Sequence, residues 1–243
     1  MRQSVFEIVS NRQLCENTRE MVLHGDTSAV TAPGQFVQLL LDSHYLRRPI
    51  SVCNVEGDLL TLVYKVVGSG TADMSGYPAG KKLDILTGLG NGYDMSKSGD
   101  RPLLIGGGAG VPPMLYLAKK LIAQGRNVTV IQGFNTKNEI FYREAFEALG
   151  ARVVIATADG SVGVKGFVTD AMHGLDYTYT FACGPEPMLK AVCDVSRTSG
   201  QYSFEERMGC GFGACMGCSC QTKYGAKRIC KDGPVLMKEE IVW

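Results

Sequence analysis

The chain has 243 residues, 45% of them apolar and 20% charged, with a formal net charge of +1. Those proportions fit a globular protein, and the balanced charge gives no electrostatic case for nucleic acid or an anionic membrane surface. The longest apolar runs, Phe36 to Leu41 and Val128 to Ile131, are far too short to span a bilayer.

The first hundred residues read as short strands with turn punctuation. The candidates are Val5 to Val9, Thr18 to Leu23, Gln35 to Leu41, Ile50 to Asn54, Leu59 to Val67 and Lys82 to Thr87. Pro33-Gly34, Glu56-Gly57-Asp58 and Pro78-Ala79-Gly80 separate some of them. Such spacing, almost without helical periodicity, predicts a small antiparallel β-barrel over residues 1–98. The style changes at the polar stretch Ser96 to Asp100. Strands are then expected at Pro102 to Ile105, Val128 to Gln132, Arg152 to Thr157 and Tyr177 to Ala182. Helices are expected at Met114 to Gln124, Glu139 to Leu149 and Pro187 to Arg197. Alternation of strand and helix predicts a doubly wound parallel sheet over residues 99–200. A cysteine-rich segment, 201–243, follows.

Two turns of the parallel half carry glycine. Gly106-Gly107-Gly108-Ala109-Gly110-Val111-Pro112-Pro113 sits between strand and helix. Gly106, Gly108 and Gly110 let a backbone approach a pyrophosphate, and Pro113 in the first helical turn sacrifices no useful N–H. The second turn, Cys183-Gly184-Pro185-Glu186-Pro187-Met188, ends another parallel strand, where open α/β sheets bind ligands. Together they could frame one dinucleotide. Cys183 reads equally well as a small buried residue. In the barrel half, Leu46-Arg47-Arg48-Pro49-Ile50-Ser51 offers a guanidinium fork and a hydroxyl for a phosphate. Val63-Tyr64-Lys65 and Gly68-Ser69-Gly70-Thr71 add an aromatic face, a cation and a glycine turn. The histidines, His24, His44 and His173, have no evident triad partner, so no catalytic acid–base residue is expected.

Cys210, Cys215, Cys218 and Cys230 are spaced C-x4-C-x2-C-x11-C. The first three reproduce the thiolate run of plant-type [2Fe–2S] ferredoxins. Interleaved glycines suit a loop that must wrap tightly and aim N–H groups at sulfur. Structural zinc is the competing reading, but zinc modules usually show two separate cysteine pairs. Cys220 could replace Cys230 as fourth ligand. Cys230 is preferred, because Cys218 and Cys220 would crowd one iron. Disulfides are not expected: the count of nine cysteines is odd, and the N-terminus shows no apolar signal-peptide core. A reducing compartment, the cytoplasm, is the expectation.

The order R-P-I-S, V-Y-K, G-S-G-T, G-x-G-x-G-x-x-P, C-G-P-E-P-M and then four cysteines resembles the ferredoxin–NADP reductase superfamily. The stretch Phe204 to Cys218, closed by Cys230 to Val235, is similar to the electron-transfer subunits of dihydroorotate dehydrogenase B. By that resemblance Arg48, Pro49, Ile50, Ser51, Val63, Tyr64, Lys65, Gly70 and Thr71 hold FAD. Cys210, Cys215, Cys218 and Cys230 ligate a [2Fe–2S] cluster. The two glycine turns, with Cys183, Gly184 and Pro185, dock NAD. Lys65 stands where an Arg is often found, and Ile50 where wider relatives place an aromatic. The resemblance implies electron transfer from an FMN-containing catalytic subunit through the cluster and FAD to NAD⁺, in a heterotetramer with two copies of each chain. A partner is needed, since no residues remain for a TIM-barrel-sized dihydroorotate site. NAD is preferred to NADP on the resemblance alone, because Glu139 could bind a ribose and Lys137 a 2′-phosphate. Two other functions stay open: a ferredoxin- or sulfide-linked flavin–iron–sulfur reductase subunit, and a non-enzymatic redox sensor or zinc-stapled binding module.

Overall fold

The computed structural model describes residues 1–42 and 44–243. Six strands come first: β1 (Arg2–Cys15), β2 (Thr18–His24), β3 (Phe36–Leu39), β4 (Arg48–Glu56), β5 (Leu59–Lys65) and, after helix α1 (Ser69–Ser75), β6 (Lys82–Leu89). They close into an antiparallel barrel in the order β1-β2-β5-β4-β3-β6. Period-two patterning drives this closure. In β6, Leu83 and Ile85 fall inside the barrel with Phe6, Ile8, Met21, Leu23, Val37, Leu39, Val52, Leu60 and Leu62. The expected barrel is therefore present. The barrel half is not free of helix, however. Gly68-Ser69-Gly70-Thr71, read as a turn, opens α1 instead, and Thr71 Oγ1 accepts the N–H of Val67 at 3.0 Å and of Gly68 at 3.2 Å.

The second half begins with β7 (Pro102–Gly107), α2 (Val111–Ala123), β8 (Thr129–Phe134), α3 (Arg143–Ala148) and β9 (Arg152–Thr157). It continues with β10 (Val164–Lys165), α4 (Val168–Ala171), β11 (Tyr179–Cys183), α5 (Glu186–Val195) and β12 (Gly200–Ser203). A hairpin of β13 (Ser219–Thr222) and β14 (Gly225–Arg228) precedes β15 (Val235–Met237). Seven of these strands form one sheet, ordered β10-β9-β8-β7-β11-β12-β15. It is parallel except for β15, which runs antiparallel to β12. The cysteine segment thus leaves the sheet after β12 and returns to it through β15.

The helix expected from Glu139 starts only at Arg143. Phe141 turns to stack edge-on against Phe134, 5.3 Å between ring centroids. Tyr142 takes a left-handed φ of 65° and reaches the barrel, where its hydroxyl bonds Glu20. Tertiary contact overrides the helical pattern there.

Helix α2 packs on β4 of the barrel. Tyr116 of that helix joins the barrel core, and Lys119 Nζ meets Glu56 at 2.5 Å. A second apolar cluster takes Phe36 and Leu89 from the barrel and Leu103, Ile105 and Ile131 from the sheet. It also takes Cys218, Ile229 and Cys230 from the cysteine segment. Barrel, sheet and cysteine loop therefore share one continuous packed interior.

Candidate functional site

Strand β4 lies beside β3, which sets Arg48 opposite Leu39, Pro49 opposite Gln38 and Ser51 opposite Phe36. Val37 and Leu39 point into the barrel. Alternation places Gln38 and Phe36, with Pro49 and Ser51, on the outer face. Arg47 and Arg48 have separate employment. Arg47 is bound to Asp84 at 2.8 Å and donates to the Asp84 carbonyl at 3.0 Å. That contact, opposing the effect of burial, holds the Asp84 carboxyl below its usual range. Arg48 instead lies against the α1 turn. A Cβ on Gly70 would come 2.5 Å from Arg48 Nε, so only glycine lets the guanidinium lie there. Arg48 also donates to the Leu46 carbonyl and, at 3.0 Å, to His44 Nδ1. The fold thus brings Arg48 against Gly70, with Thr71 next in the same helix, although 22 positions of sequence separate Arg48 from Gly70. Val63 is buried toward the second half of the molecule. The Tyr64 ring is inside the barrel, and its hydroxyl donates to Asn11 at 3.0 Å. What Tyr64 offers a ligand is backbone, not an aromatic face. Lys65 is exposed beside a cavity of about 60 Å³ that Asn17, Thr18, Gly108, Ala109 and Glu139 also line.

The two glycine turns meet. A Cβ on Gly110 would overlap the Cys183 carbonyl and the Gly184 N–H, so Gly110 lets the strand ends touch backbone to backbone. Gly108 has φ of 51° and open space where a Cβ would go. Gly106 is the second-last residue of β7, and Pro112 and Pro113 follow Val111 in the first turn of α2. Pro185 caps α5. Cys183 is buried, and burial, then the charge of Glu205, pushes its thiol up to about 12. It is inert at neutral pH. At the end of β8, the Asn135 carboxamide donates to Glu139 at 3.0 Å.

The cysteine loop shows two pairs of thiols. Cys210 Sγ accepts the N–H groups of Ala214 at 3.2 Å and Cys215 at 3.4 Å. Burial opposes ionisation there, but N–H groups of Cys215, Phe212 and Ala214 bring the thiol down to about 6. Cys218 Sγ accepts the Cys230 N–H at 3.4 Å. Burial, then contact with Cys218 and the charge of Cys210, pushes the Cys230 thiol up to about 12. Among the described residues no three of His, Cys, Asp and Glu close around a single ion. Two pairs of thiols with N–H groups turned toward sulfur fit a two-iron cluster better than one tetrahedral ion. Cys220 sits on β13 opposite Lys227, packed against apolar neighbours. Arg228 braces the loop, donating to Gly213 O at 3.0 Å and to Asp232 Oδ2 at 3.0 Å. Gly211, φ 77°, is pressed onto the wholly buried Gln38. The cysteine loop therefore rests directly on the outer face of β3, next to Pro49 and Ser51.

A family model described as the iron-sulfur cluster binding domain of dihydroorotate dehydrogenase B matches residues 205–242. One described as an oxidoreductase NAD-binding domain matches 104–194. The dihydroorotate dehydrogenase B (NAD(+)) electron transfer subunit of Geobacillus sp. (strain WCH70) is 41% identical over 256 residues, covering 100% of this chain and 99% of its own. The chain belongs to the family of dihydroorotate dehydrogenase B electron transfer subunits. The Bacillus pumilus (strain SAFR-032) member is 42% identical, covering 99% of this chain and 98% of its own. Among solved structures, a chain of the NADH-dependent reduced ferredoxin-NADP oxidoreductase superposes with a TM-score of 0.90 at 30% identity, over 98% of this chain and 90% of that one. A ferredoxin NADP+ reductase from Neisseria gonorrhoeae with bound FAD and NADP shares the fold, with a TM-score of 0.69 at 18% identity over 80% and 90%. In family terms, the 205–242 match covers all four paired cysteines.

His44, Asp73 and Gln38 were not legible as site residues. None belongs to a motif, and each reaches the site by a contact between distant segments.

Proposed function

We propose that the chain carries electrons between an FMN-containing catalytic subunit that oxidises dihydroorotate and NAD⁺, in pyrimidine biosynthesis. One observation carries the reading: the four-cysteine loop is seated at Gly211 on the barrel strand that lies beside Arg48 to Ser51. When bound, a [2Fe–2S] cluster supplies single-electron exchange, and FAD and NAD supply hydride exchange. The chain binds and orients these groups. Arg48 grips a flavin phosphate as a planar fork. Pro49 and Ser51, with the Ile50 backbone between them, support it from one side, and Val63 to Lys65, Gly70 and Thr71 from the other. Gly106, Gly108 and Gly110, with Cys183, Gly184 and Pro185, receive the nicotinamide nucleotide. Cys210, Cys215, Cys218 and Cys230 hold the cluster. The segments 1–98, 99–200 and 201–243 divide these three tasks.

The relatives' name, electron transfer subunit, implies a catalytic partner. We take the assembly to be a heterotetramer of two chains of each kind, with the cluster end toward the partner. Exposed Phe212, Met216 and Tyr224 lie on that end. Among the described residues no helix is long and apolar enough to cross a membrane. A cytoplasmic site suits nine cysteines that form no disulfide. The full-length match favours this function over a ferredoxin- or sulfide-linked reductase subunit and over a sensor or zinc module.

The test compares intact and cluster-depleted chain, each with and without the FMN subunit. The lone chain is expected to pass electrons from NADH to a dye with or without cluster. It should not oxidise dihydroorotate. The reconstituted complex should reduce NAD⁺ only when the cluster is present. Dihydroorotate turnover by the lone chain would defeat the proposal.

A further inference from the structure

We infer that His44 is a positioning residue for the flavin phosphate site. Through it Asp73 of helix α1 fixes the direction of the Arg48 guanidinium. The inference rests on the reading of Arg48 as a phosphate ligand, and it deepens that reading.

The geometry is a relay of three side chains. Asp73 Oδ2 lies 2.8 Å from His44 Nε2, and His44 Nδ1 lies 3.0 Å from an Arg48 Nη. Arginine only donates, so Nδ1 must accept, and the imidazole proton is then on Nε2, facing the carboxylate. Asp73 thereby selects the tautomer that can hold Arg48, as a carboxylate does behind a metal-ligating histidine. His44 is well placed for this, with its side chain only 15% exposed, while Asp73 is 54% exposed. Arg48 is held at a second point by the Leu46 carbonyl and along its flank by Gly70.

Two of the five N–H donors of the guanidinium are used in this way. Three remain for phosphate oxygens, and the plane of the fork is set before ligand arrives. A free arginine would lose its rotamer freedom on binding, and this arrangement has already removed much of it. The relay also joins the two halves of the site. α1 carries Gly70 and Thr71, β4 carries Arg48 to Ser51, and His44 ties one to the other.

The test is FAD affinity of the full chain, measured by titrating flavin-depleted protein. His44→Leu is expected to weaken FAD roughly five- to twentyfold, part of the rotamer cost of an unheld arginine. In an Arg48→Ala background the same change should have less than about a twofold effect, because the only target of the relay is gone. Isosteres sharpen the reading. The Asn carboxamide oxygen can occupy the Nδ1 position but leaves Asp73 without its partner, so His44→Asn should bind FAD less tightly than wild type and more tightly than His44→Leu. The Gln carboxamide follows the Nε2 position, so His44→Gln should be about as weak as His44→Leu. If His44→Leu does not fold, His44→Gln supplies the same comparison.

Three results would overturn the inference: unchanged affinity in both His44→Leu and His44→Gln, the same loss with and without Arg48, or Asn no better than Gln. Unchanged affinity in Arg48→Ala alone would instead overturn the flavin reading beneath it.

Discussion

Replacing Gly211 by alanine tests how the cysteine loop is seated. Two separate penalties apply. The φ of 77° is left-handed, which costs an L-residue about 1–2 kcal/mol. The new methyl would also land on the carboxamide of Gln38, which is 0% exposed and so has no room to swing away. Overpacking of that kind costs about 1–3 kcal/mol. The sum is at least about 2 kcal/mol, a factor of about 30 in the equilibrium for opening the loop. The assay is release of iron to a chelator from the anaerobic, cluster-loaded chain, with flavin content as control. Gly211→Ala should lose iron about 30 times faster while keeping its flavin. Adding Gln38→Ala removes the overlap but leaves the strained φ, so about a fivefold acceleration should remain. A wild-type rate in Gly211→Ala, or a double variant no slower than the single one, would refute this account.

Other contacts in the fold carry expectations of their own. Gly110→Ala drives a methyl into the Cys183–Gly184 backbone, whereas Gly108→Ala meets open space and only pays for its φ. Both should weaken NADH binding, but Gly110→Ala should lower the melting temperature far more, and equal losses would count against the packing argument. Tyr142→Phe leaves the buried Glu20 with Arg12 as its remaining partner. It should cost about 1–3 kcal/mol in urea unfolding, and a change under about 0.5 kcal/mol would show that the contact between the halves contributes little. Asp84 has a lowered folded pKa beside Arg47. Its contribution is present above the ordinary aspartate range and fades as pH falls through the lowered value. The stability gap between wild type and Arg47→Ala should therefore narrow from pH 5 to pH 2, and a gap that widens in acid would contradict it.

The strands of the barrel were legible because their patterning is period two and their turns carry Gly, Pro or Asp. The parallel sheet was legible from strand–helix alternation. Cysteine spacing pointed to the loop because ligand geometry constrains sequence directly. The misses share one cause. Helix α1 hid behind two glycines, which low helix propensity and proximity to a phosphate motif made look like a turn. The late start of the helix expected from Glu139 came from Phe141 and Tyr142, which satisfy partners on other elements. Tyr64 looked like a flavin platform by its position in a motif, yet strand alternation sends its ring inward. His44 had no partner visible in sequence, since Asp73 lies 29 residues away. Local pattern thus reports elements well, and side-chain direction only when the neighbouring strand is known.

The return of β15 to the sheet makes the cysteine segment hard to detach. β12 is flanked by β11 on one side and by β15 on the other. Cutting the chain after Phe204 would strip off that cover and leave Gln201, Tyr202 and Ser203 as an open edge, with backbone donors and acceptors facing solvent. Such an edge is a template for pairing with another molecule. It would also uncover Tyr202 and Leu103, which share an apolar cluster with Ile229 and Leu236 of the removed piece. A truncated protein made to study the flavin half alone would therefore self-associate rather than behave as a smaller reductase. Grafting the segment onto another reductase meets the same constraint from the opposite side: the recipient must offer a free parallel edge strand at the right register, not merely a C-terminus.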